Sequence, residues 1–263
     1  MKEYKTLLFD IDGTLIGEQS RVMLESTKEA IQAARKNGHI CMINTGRSRK
    51  LVVPEVTRLT EFDGLLLGCG TMVEYHGEVL LHKTFAVSEG ERIIAGLRKN
   101  RVDAVLEGSV NNYRDSQENV FSPVFAGFLK RFDKLGFGSY EEAVGHFDKL
   151  YCYVEKPEYM SAFREEFEEL LDFVDREQGF YELTPKGCSK ASTMQFFAEK
   201  LGVPMEETAA IGDSSNDISM LAAAGHSIAM GNATAAVKEL AEFVTTDVDG
   251  DGIRNALKWL GVC

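Results

Sequence analysis

The first part of the chain alternates short apolar runs with a helical pattern of apolar residues. Apolar runs at 5–9, 40–43 and 65–67 predict β-strands, and the first of them ends at Asp10. The helical pattern between the first two strands consists of Thr27, Ala30, Ile31 and Ala34. Short apolar strands that alternate with helices are typical of a parallel sheet covered on both faces.

The pattern changes between about residues 84 and 184. A hairpin is predicted at 73–81, just before this segment. Inside the segment, helices are predicted near 89–99 and 123–133, and strands within 102–114 and at 150–154. A further amphipathic helix is predicted because apolar residues recur at helical spacing opposite an acidic face: Phe163, Phe167, Leu170, Leu171 and Val174.

The first pattern returns at about residue 186. A helical pattern formed by Met194, Phe197, Ala198 and Leu201 precedes a strand at 208–211, and further β/α units extend through 243–244. We therefore predict an α/β fold. Its Rossmann-like parallel-sheet core is formed by residues 1–83 and 185–263, and an α+β domain is inserted at 84–184.

The net charge of the chain limits the kinds of molecule that it is expected to bind. The 263 residues include 41 acidic and 29 basic side chains, which gives a formal net charge of −12. This excess argues against a nucleic-acid binder and against adhesion to an anionic membrane. It leaves a phosphorylated small molecule open, because a bound cation can reverse the sign of a pocket locally.

The apolar stretches and cysteines favour a cytoplasmic protein. The apolar run directly before Asp10 has only three residues, which is too short for the apolar part of a secretory signal. The charge-free run 218–237 is long enough to span a membrane, but its polar residues and glycines predict two elements joined by a turn. The five cysteines are scattered, as expected in a reducing compartment. The sequence does not predict an oligomeric state.

Polar residues follow four of the predicted strands. Asp10 and Asp12 come after the first strand, and we expect both side chains to point the same way. The other three groups are Asn44-Thr45-Gly46-Arg47, the segment from Lys186 to Lys190, and Asp213 with Asn216 and Asp217. Because ligands of open α/β sheets bind beyond the carboxyl ends of the strands, we expect these groups to meet at one edge.

The residue types at this edge indicate a site for a metal ion and a phosphate. Clustered carboxylates repel one another unless a proton or a cation neutralises them, and oxygen ligands suit Mg²⁺. Thr45 and the backbone N–H groups of Gly46 and Arg47 are candidates for binding phosphate where the next helix starts. Either Lys186 or Lys190 would add positive charge. Each group alone is more often a turn or a helix cap, but their placement at successive strand ends is specific.

The four groups together resemble the motifs of the haloacid dehalogenase-like (HAD) superfamily. Asp10-Ile-Asp-Gly-Thr14 matches the first motif, Thr45 the second, Lys190 the third, and Gly212-Asp-Ser-Ser-Asn-Asp217 the fourth. Within the superfamily the chain resembles the Cof-type phosphatases, whose α+β cap (type IIB) is inserted between the second and third motifs. Segments 229–233 and 249–253 are also similar to the tail of that group.

The resemblance implies a role for each residue. Asp10 would be the nucleophile that forms an aspartyl-phosphate and would also bind Mg²⁺. Asp12 would act as general acid and base, and its backbone carbonyl would bind the metal. Lys190, rather than Lys186, would be the catalytic lysine.

The remaining roles concern the metal and the substrate. Asp213 would bind the metal directly, with Asp217 one shell further out, and Asn216 would lie near the phosphate beside Thr45 and Gly46. For Arg47, a substrate contact and a structural salt bridge are equally compatible with the sequence.

The sequence thus predicts a Mg²⁺-dependent phosphatase for a small phosphorylated metabolite, such as a sugar phosphate. One alternative is a phosphotransferase or sugar-phosphate mutase that uses the same aspartyl-phosphate. Another is a non-enzymatic phosphate sensor, which would be expected to lack Asp10 or Asp12. The insertion would select substrates. Its polar segment 107–119, with Glu107, Asn111, Asn112 and Arg114, is either a substrate contact or a solvated loop.

Overall fold

The chain forms two compact units in a computed structural model that describes residues 6–17, 19–52, 56, 61–132, 134 and 136–263. The first unit comprises the described residues of Met1–Gly46, Val52–Leu81 and Ser189–Cys263. The second comprises Arg47–Leu51 and His82–Cys188. The sequence division placed 47–51 in the core segment 1–83, whereas in the structure these residues group with the second unit.

The first unit begins with three strands, one helix and a hairpin. The elements are β1 (Thr6–Phe9), α1 (Glu25–Lys36), β2 (Ile40–Asn44), β3 (Gly64–Leu67), β4 (Met72–Tyr75) and β5 (Glu78–His82). Lys5, part of the predicted first strand, lies outside the described residues. His76 and Gly77 connect β4 to β5 with φ angles of 49° and 80°. Two successive left-handed residues are what a tight hairpin turn requires, and glycine adopts this conformation without strain.

The second unit is built around a six-stranded sheet in the described residues, with the order β10-β11-β9-β6-β7-β8. Its elements are α2 (Val87–Lys99), β6 (Asp103–Glu107), β7 (Asn112–Arg114), α3 (Pro123–Lys130), β8 (Gly138–Ser139), α4 (Tyr140–Ala143), β9 (Lys149–Tyr153), α5 (Pro157–Phe167), β10 (Leu171–Asp175) and β11 (Phe180–Pro185). Helices cover both faces of this sheet, and alternate residues of β6 pack against different helices. Ala104 and Leu106 pack with α2 and α5, whereas Val105 packs with α3 on the other face.

The helix predicted through Val174 is wrong in its second half. Helix α5 ends at Phe167, and Leu171 already belongs to β10. Strand β10 pairs antiparallel with β11, so that Leu171 lies opposite Pro185. The helical spacing of the apolar residues beyond Phe167 is therefore coincidental, because strand pairing within the sheet overrides the local pattern.

The first unit resumes after the second unit and completes an eight-stranded sheet in the described residues. The elements are α6 (Lys190–Leu201), β12 (Thr208–Gly212), α7 (Ile218–Ala223), β13 (His226–Ala229), α8 (Ala235–Leu240), β14 (Phe243–Val244) and α9 (Gly252–Leu260). The strand order is β14-β13-β12-β1-β2-β3-β4-β5. The pairs from β14 to β3 are parallel, and β4 is antiparallel to β3. The predicted α/β class is confirmed.

Strand β1 lies at the centre of the parallel sheet and brings the two sequence halves of the first unit together. It pairs with β2 on one side and with β12 on the other, with Phe9 opposite Ile43 and Ile211. Because the three strands are parallel, their carboxyl ends lie at the same edge.

The charge-free run 218–237 divides into α7, β13 and the start of α8. Within the described part of the chain, no helix combines the length and hydrophobicity needed to cross a membrane.

We predict that Asp63, just before β3, is a main polar support of this sheet. Its carboxylate accepts hydrogen bonds from the Arg35 guanidinium at 2.8 Å and from the Cys41 backbone N–H at 2.8 Å. Asp63→Ala should lower the free energy of unfolding by about 2 kcal/mol, because the Cys41 N–H loses its charged acceptor and Arg35 keeps only the exposed Glu61. Urea unfolding monitored by circular dichroism measures the change.

The control is Glu61→Ala. Glu61 also pairs with Arg35, at 3.0 Å, but its side chain is 86% exposed. An exposed pair of this kind contributes less than about 1 kcal/mol. Equal losses in the two variants would contradict the special role of Asp63.

Candidate active site

A buried ammonium group forms the centre of the candidate site. The Nζ atom of Lys190 lies 2.6 Å from Asp10 Oδ1 and 2.5 Å from Asp217 Oδ1. The side chains of Lys190 and Asp217 are 0% exposed, and that of Asp10 is 5% exposed. Lys190 is the first residue of α6, whose N-terminus is capped by the Ser189 hydroxyl. A charge buried this completely requires partners of opposite sign, which the two carboxylates provide.

Three carboxylates meet at this point: Asp10, Asp213 and Asp217 each offer an oxygen within 4.8 Å of the other two. Burial and the charge of Asp217 raise the pKa of Asp10 to about 8, against the opposing effect of Lys190. Burial lowers the pKa of Lys190, but Asp10 and Asp217 outweigh this effect and raise it. With all groups ionised, one ammonium leaves two negative charges uncompensated. The carboxylate oxygens and this excess of negative charge suit a hard divalent cation.

The fourth strand-end motif holds Asp213 and Asp217 in different ways. The backbone N–H groups of Asp213 and Ser214 donate to Asp217 Oδ2 at 2.9 and 3.0 Å, while Asp217 Oδ1 contacts Lys190. Asp213 Oδ1 accepts a hydrogen bond of 2.9 Å from the Thr14 hydroxyl. Both oxygens of Asp217 are therefore engaged by neighbouring groups of the protein.

Two glycines allow the carboxylates to approach the backbone. Gly13 has a φ angle of 81°, and a Cβ atom there would overlap the carboxylate of Asp213. A Cβ atom on Gly212 would overlap the side chain of Asp217. Close approach therefore explains why glycine stands at these two positions.

Asp12 lies apart from the three clustered carboxylates. Its side chain is 40% exposed and lies 3.5 Å from the guanidinium of Arg21. Strand β1 ends at Phe9, and Asp12 lies in the following turn, bridged to Ile16. The strand alternation on which the sequence expectation for Asp12 rests therefore does not extend to this residue. A carboxylate outside the cluster can exchange protons without first leaving a metal ion.

Two of the predicted phosphate-binding residues lie in the first unit at strand ends. Thr45 is buried directly beyond β2, and its N–H donates to the carbonyl of Leu66 at 2.9 Å. Asn216 is partly buried beyond β12, and its Oδ1 accepts a hydrogen bond from the Ser214 hydroxyl at 2.8 Å.

The segment after Thr45 differs from the prediction. Described residues 46–52 form turns and no helix, and most of 53–60 lies outside the described residues. Gly46 remains in the first unit, whereas Arg47 groups with the second unit and donates to the carbonyl of Leu51 at 3.4 Å. This grouping follows from Ser48, whose hydroxyl donates to Asn112 Oδ1 at 3.5 Å.

Geometry separates the two candidate lysines. Lys186 belongs to the second unit, is 57% exposed and pairs with Asp172 at 3.0 Å. Lys190 contacts Asp10 and Asp217, so it is the lysine within the carboxylate group.

Three residues of the site carried no role in the sequence reasoning. Thr14 supports Asp213, as described above. Asn232 donates to the Gly13 carbonyl at 2.8 Å and accepts from the Val248 N–H at 2.9 Å. Asn44 donates to the Lys190 carbonyl at 3.0 Å. Thr14 and Asn232 lie inside segments that resemble the family, and Asn44 belongs to the polar group after the second predicted strand. These patterns mark the three positions, but they do not indicate the hydrogen bonds that the side chains form.

Comparison with known proteins identifies the family. The sequence model described as "haloacid dehalogenase-like hydrolase" matches residues 7–257. The chain belongs to this family. Phosphatase YwpJ of Bacillus subtilis (strain 168) is 27% identical over 97% of this chain and 99% of its own length. The 5-amino-6-(5-phospho-D-ribitylamino)uracil phosphatase YcsE of the same organism is 27% identical over 97% of this chain and 95% of its own.

A solved structure extends the similarity to the three-dimensional level. The HAD subclass IIB sugar phosphatase BT4131 superposes with a TM-score of 0.83, at 27% identity, over 98% of this chain and 100% of its own. The resemblance to Cof-type HAD phosphatases with a type IIB cap is therefore confirmed. This HAD-like hydrolase acts on phosphate esters of small molecules.

We predict that Mg²⁺ stabilises the protein through the carboxylate group. At a concentration of 100 times Kd, a ligand that binds only the folded state adds about 2.7 kcal/mol to the free energy of unfolding. Asp213→Ala should lose most of this Mg²⁺-dependent rise in Tm, because it removes a ligand. Without Mg²⁺ it should be at least as stable as the wild type, because charge repulsion is relieved. Differential scanning fluorimetry measures both quantities.

Asp12→Ala is the matched variant, since its carboxylate lies outside the group. It should keep the Mg²⁺-dependent rise. Loss of the rise in Asp12→Ala and its retention in Asp213→Ala would refute the assignment of the metal ligands.

Proposed function

We propose that this protein hydrolyses a small phosphorylated metabolite, such as a sugar phosphate, in a Mg²⁺-dependent reaction through an aspartyl-phosphate on Asp10. The observation that carries the proposal is the buried contact of Lys190 with Asp10 and Asp217 beside Asp213. An anionic nucleophile can approach an anionic phosphate only where positive charge offsets their repulsion.

In the first half-reaction, an Asp10 carboxylate oxygen attacks phosphorus and the bond to the leaving oxygen breaks. The contact with Lys190 keeps Asp10 oriented and favours its ionised form. Asp12 gives its proton to the leaving oxygen, so that an alcohol departs. The partly exposed side chain of Asp12 supports this role, because it is not fixed within the carboxylate group.

In the second half-reaction, Asp12 takes a proton from water as the water oxygen attacks the phosphorus of the aspartyl-phosphate. The bond between phosphorus and Asp10 breaks, which releases inorganic phosphate and restores the carboxylate of Asp10 and the protonated carboxyl group of Asp12. Phosphate monoesters require some of the largest accelerations known, up to ~10²¹-fold. One acid–base group supplies only ~10²–10⁴-fold, so several groups must act together.

Mg²⁺ would be held by Asp10, Asp213 and the backbone carbonyl of Asp12, with Asp217 one shell further out. It would neutralise charge on the carboxylates and on the phosphate. Thr45, Gly46, Arg47 and Asn216 are the proposed phosphate-binding residues. Support for Thr45 and Asn216 comes from their places beyond β2 and β12, because these two strands flank β1 and Asp10 directly follows β1.

We propose that the second unit selects the leaving group. A buried ion triad, formed by Glu107, Lys149 and Glu182, lies on its sheet. Lys149 contacts Glu182 directly and lies 3.5 Å from Glu107, and all three side chains are at most 8% exposed. Replacing a buried ion pair with apolar residues often costs nothing or stabilises a protein. The retained charges therefore favour recognition of a hydroxyl-bearing molecule over a purely structural role.

The ion triad also bears on the predicted contact segment 107–119. Glu107 and Asn112 lie opposite each other on β6 and β7, and both are buried. Of the two interpretations of this segment, burial at its start favours recognition over a solvated loop. The similarity to the sugar phosphatase BT4131 supports a polyhydroxylated substrate.

We place the enzyme in the cytoplasm, in line with its scattered cysteines, and propose no partner other than the substrate.

Asp10→Asn tests the nucleophile. The substitution keeps the shape of the side chain but removes its nucleophilic charge, so kcat should fall by at least ~10³-fold while the fold is retained. Phosphate release from para-nitrophenyl phosphate with Mg²⁺, together with circular dichroism, measures both effects.

The matched control is Asp251→Asn in the same unit. Asp251 has a φ angle of 61°, which asparagine tolerates well, and it bonds to Ser26 away from the carboxylate group. It should behave like the wild type. Wild-type turnover in Asp10→Asn would exclude the proposed mechanism.

The ion triad is tested by its neutral equivalent, Glu107→Gln, Lys149→Met and Glu182→Gln in one protein. Stability should change little, because no charge is left without a partner. Hydrolysis of para-nitrophenyl phosphate should stay within about 3-fold, while kcat/KM for the preferred sugar phosphate should fall by about 10-fold or more. A screen of phosphorylated metabolites measures the ranking.

Lys99→Met with Glu166→Gln is the control, since it removes an exposed ion pair of 2.9 Å from the same unit. An unchanged substrate ranking in the neutral triad variant would show that the triad does not select substrates.

A further inference from the structure

Asn44 joins the second motif to the helix that carries Lys190. It is the last residue of β2, it directly precedes Thr45, and it is 1% exposed. Its Nδ2 donates a hydrogen bond of 3.0 Å to the backbone carbonyl of Lys190, which is 146 positions away in the chain. Both residues belong to the first unit, so this bond ties a strand end to the first turn of α6.

The position of the Lys190 ammonium depends on the position of the first turn of α6. The lysine side chain is a flexible four-carbon stem, so its backbone must be fixed if its Nζ is to stay at one point. The Thr193 hydroxyl also donates to the Lys190 carbonyl, at 3.3 Å, but it belongs to the same helix. The bond from Asn44 comes from a different element, and it fixes the helix relative to the sheet.

Stability alone does not explain an asparagine at this position. Its Oδ1 is buried and has no hydrogen-bond partner among the described residues. An unpaired buried acceptor generally costs more than one neutral hydrogen bond contributes. Leucine, which has the same branched side-chain skeleton, has no polar atom and would avoid that cost.

We propose that Asn44 is a positioning residue for the reaction, which holds Lys190 so that its ammonium contacts Asp10 and Asp217. The inference rests on the proposed function, in which Asp10 attacks while in contact with Lys190. Small displacements of a reacting group have large effects, since an error of about 1 Å can cost ~10²-fold in rate. Loss of the bond should therefore reduce kcat without a matching loss of stability.

Two variants remove the donor in different ways. Asn44→Leu removes both polar atoms and keeps the branched side-chain skeleton. Asn44→Asp keeps the shape but replaces the N–H donor with the oxygen of an ionisable carboxyl group. In both, kcat for para-nitrophenyl phosphate should fall by about 10-fold or more, with KM within about 3-fold. The Tm of Asn44→Leu should equal or exceed that of the wild type. If one variant does not fold, the other still gives the comparison.

Thr208→Val is the matched control for a buried hydrogen bond in the same sheet. Thr208 is 0% exposed and begins β12, at the opposite end from Gly212. Its hydroxyl donates to the Met205 carbonyl at 2.6 Å and accepts from the Gly225 N–H at 3.2 Å. This variant should lower Tm and leave kcat unchanged.

The outcomes separate a positioning role from a structural one. A lower kcat with an unchanged or higher Tm supports the proposal. An unchanged kcat overturns it, and so does a parallel fall of kcat and Tm.

Crystal structures of the variants keep this inference distinct from the proposed function. In Asn44→Leu the distance from Lys190 Nζ to Asp10 Oδ1 should exceed its present 2.6 Å by about 1 Å or more. An unmoved ammonium refutes the role of Asn44, whatever the activity. Failure of the wild type to release phosphate with Mg²⁺ would refute the proposed function, and the displacement would still be measurable.

Discussion

The ion contact of Lys190 with Asp10 and Asp217 is the constraint on which the rest of the first unit depends. The lysine lies 180 positions after Asp10 and 27 positions before Asp217. Three buried carboxylates at adjacent strand ends would repel one another strongly without it. The contact can form only if β1, β12 and the start of α6 converge, and the parallel pairing of β1 with β12 brings the two distant parts of the chain together.

The first unit accommodates a long insertion because the inserted second unit has a core of its own. The second unit has its own sheet and its own apolar cluster, in which Phe147 and Phe163 are fully buried. It can therefore fold around its own core, while the first unit needs only the pairing of β1 and β12 to close its sheet. The proposed catalysis by the first unit and the proposed substrate recognition by the second unit thus depend on separate hydrophobic cores.

Local pattern and motif spacing predicted most of the fold, because buried parallel strands and amphipathic helices leave strong periodic signals. The failures have physical causes. Leu171 was placed in a helix because a strand pairing partner ten or more residues away leaves no trace in a short window. Strand alternation cannot predict the direction of the Asp12 side chain, because β1 ends at Phe9. The contact of Asn44 with Lys190 was missed because a single hydrogen bond across 146 positions has no periodicity.

The net charge of the site bears on the order in which the cation and the phosphate ester bind in the proposed reaction. In its fully ionised form, the group of three carboxylates and one ammonium carries two uncompensated negative charges. This excess contributes to the raised pKa of Asp10 and would repel a phosphate dianion. A divalent cation brings this sum to zero, so that the same carboxylates no longer oppose the substrate. Electrostatics therefore favours binding of the cation before the phosphate ester. Lys190 alone cannot replace the cation, because both Asp10 and Asp217 already engage its ammonium.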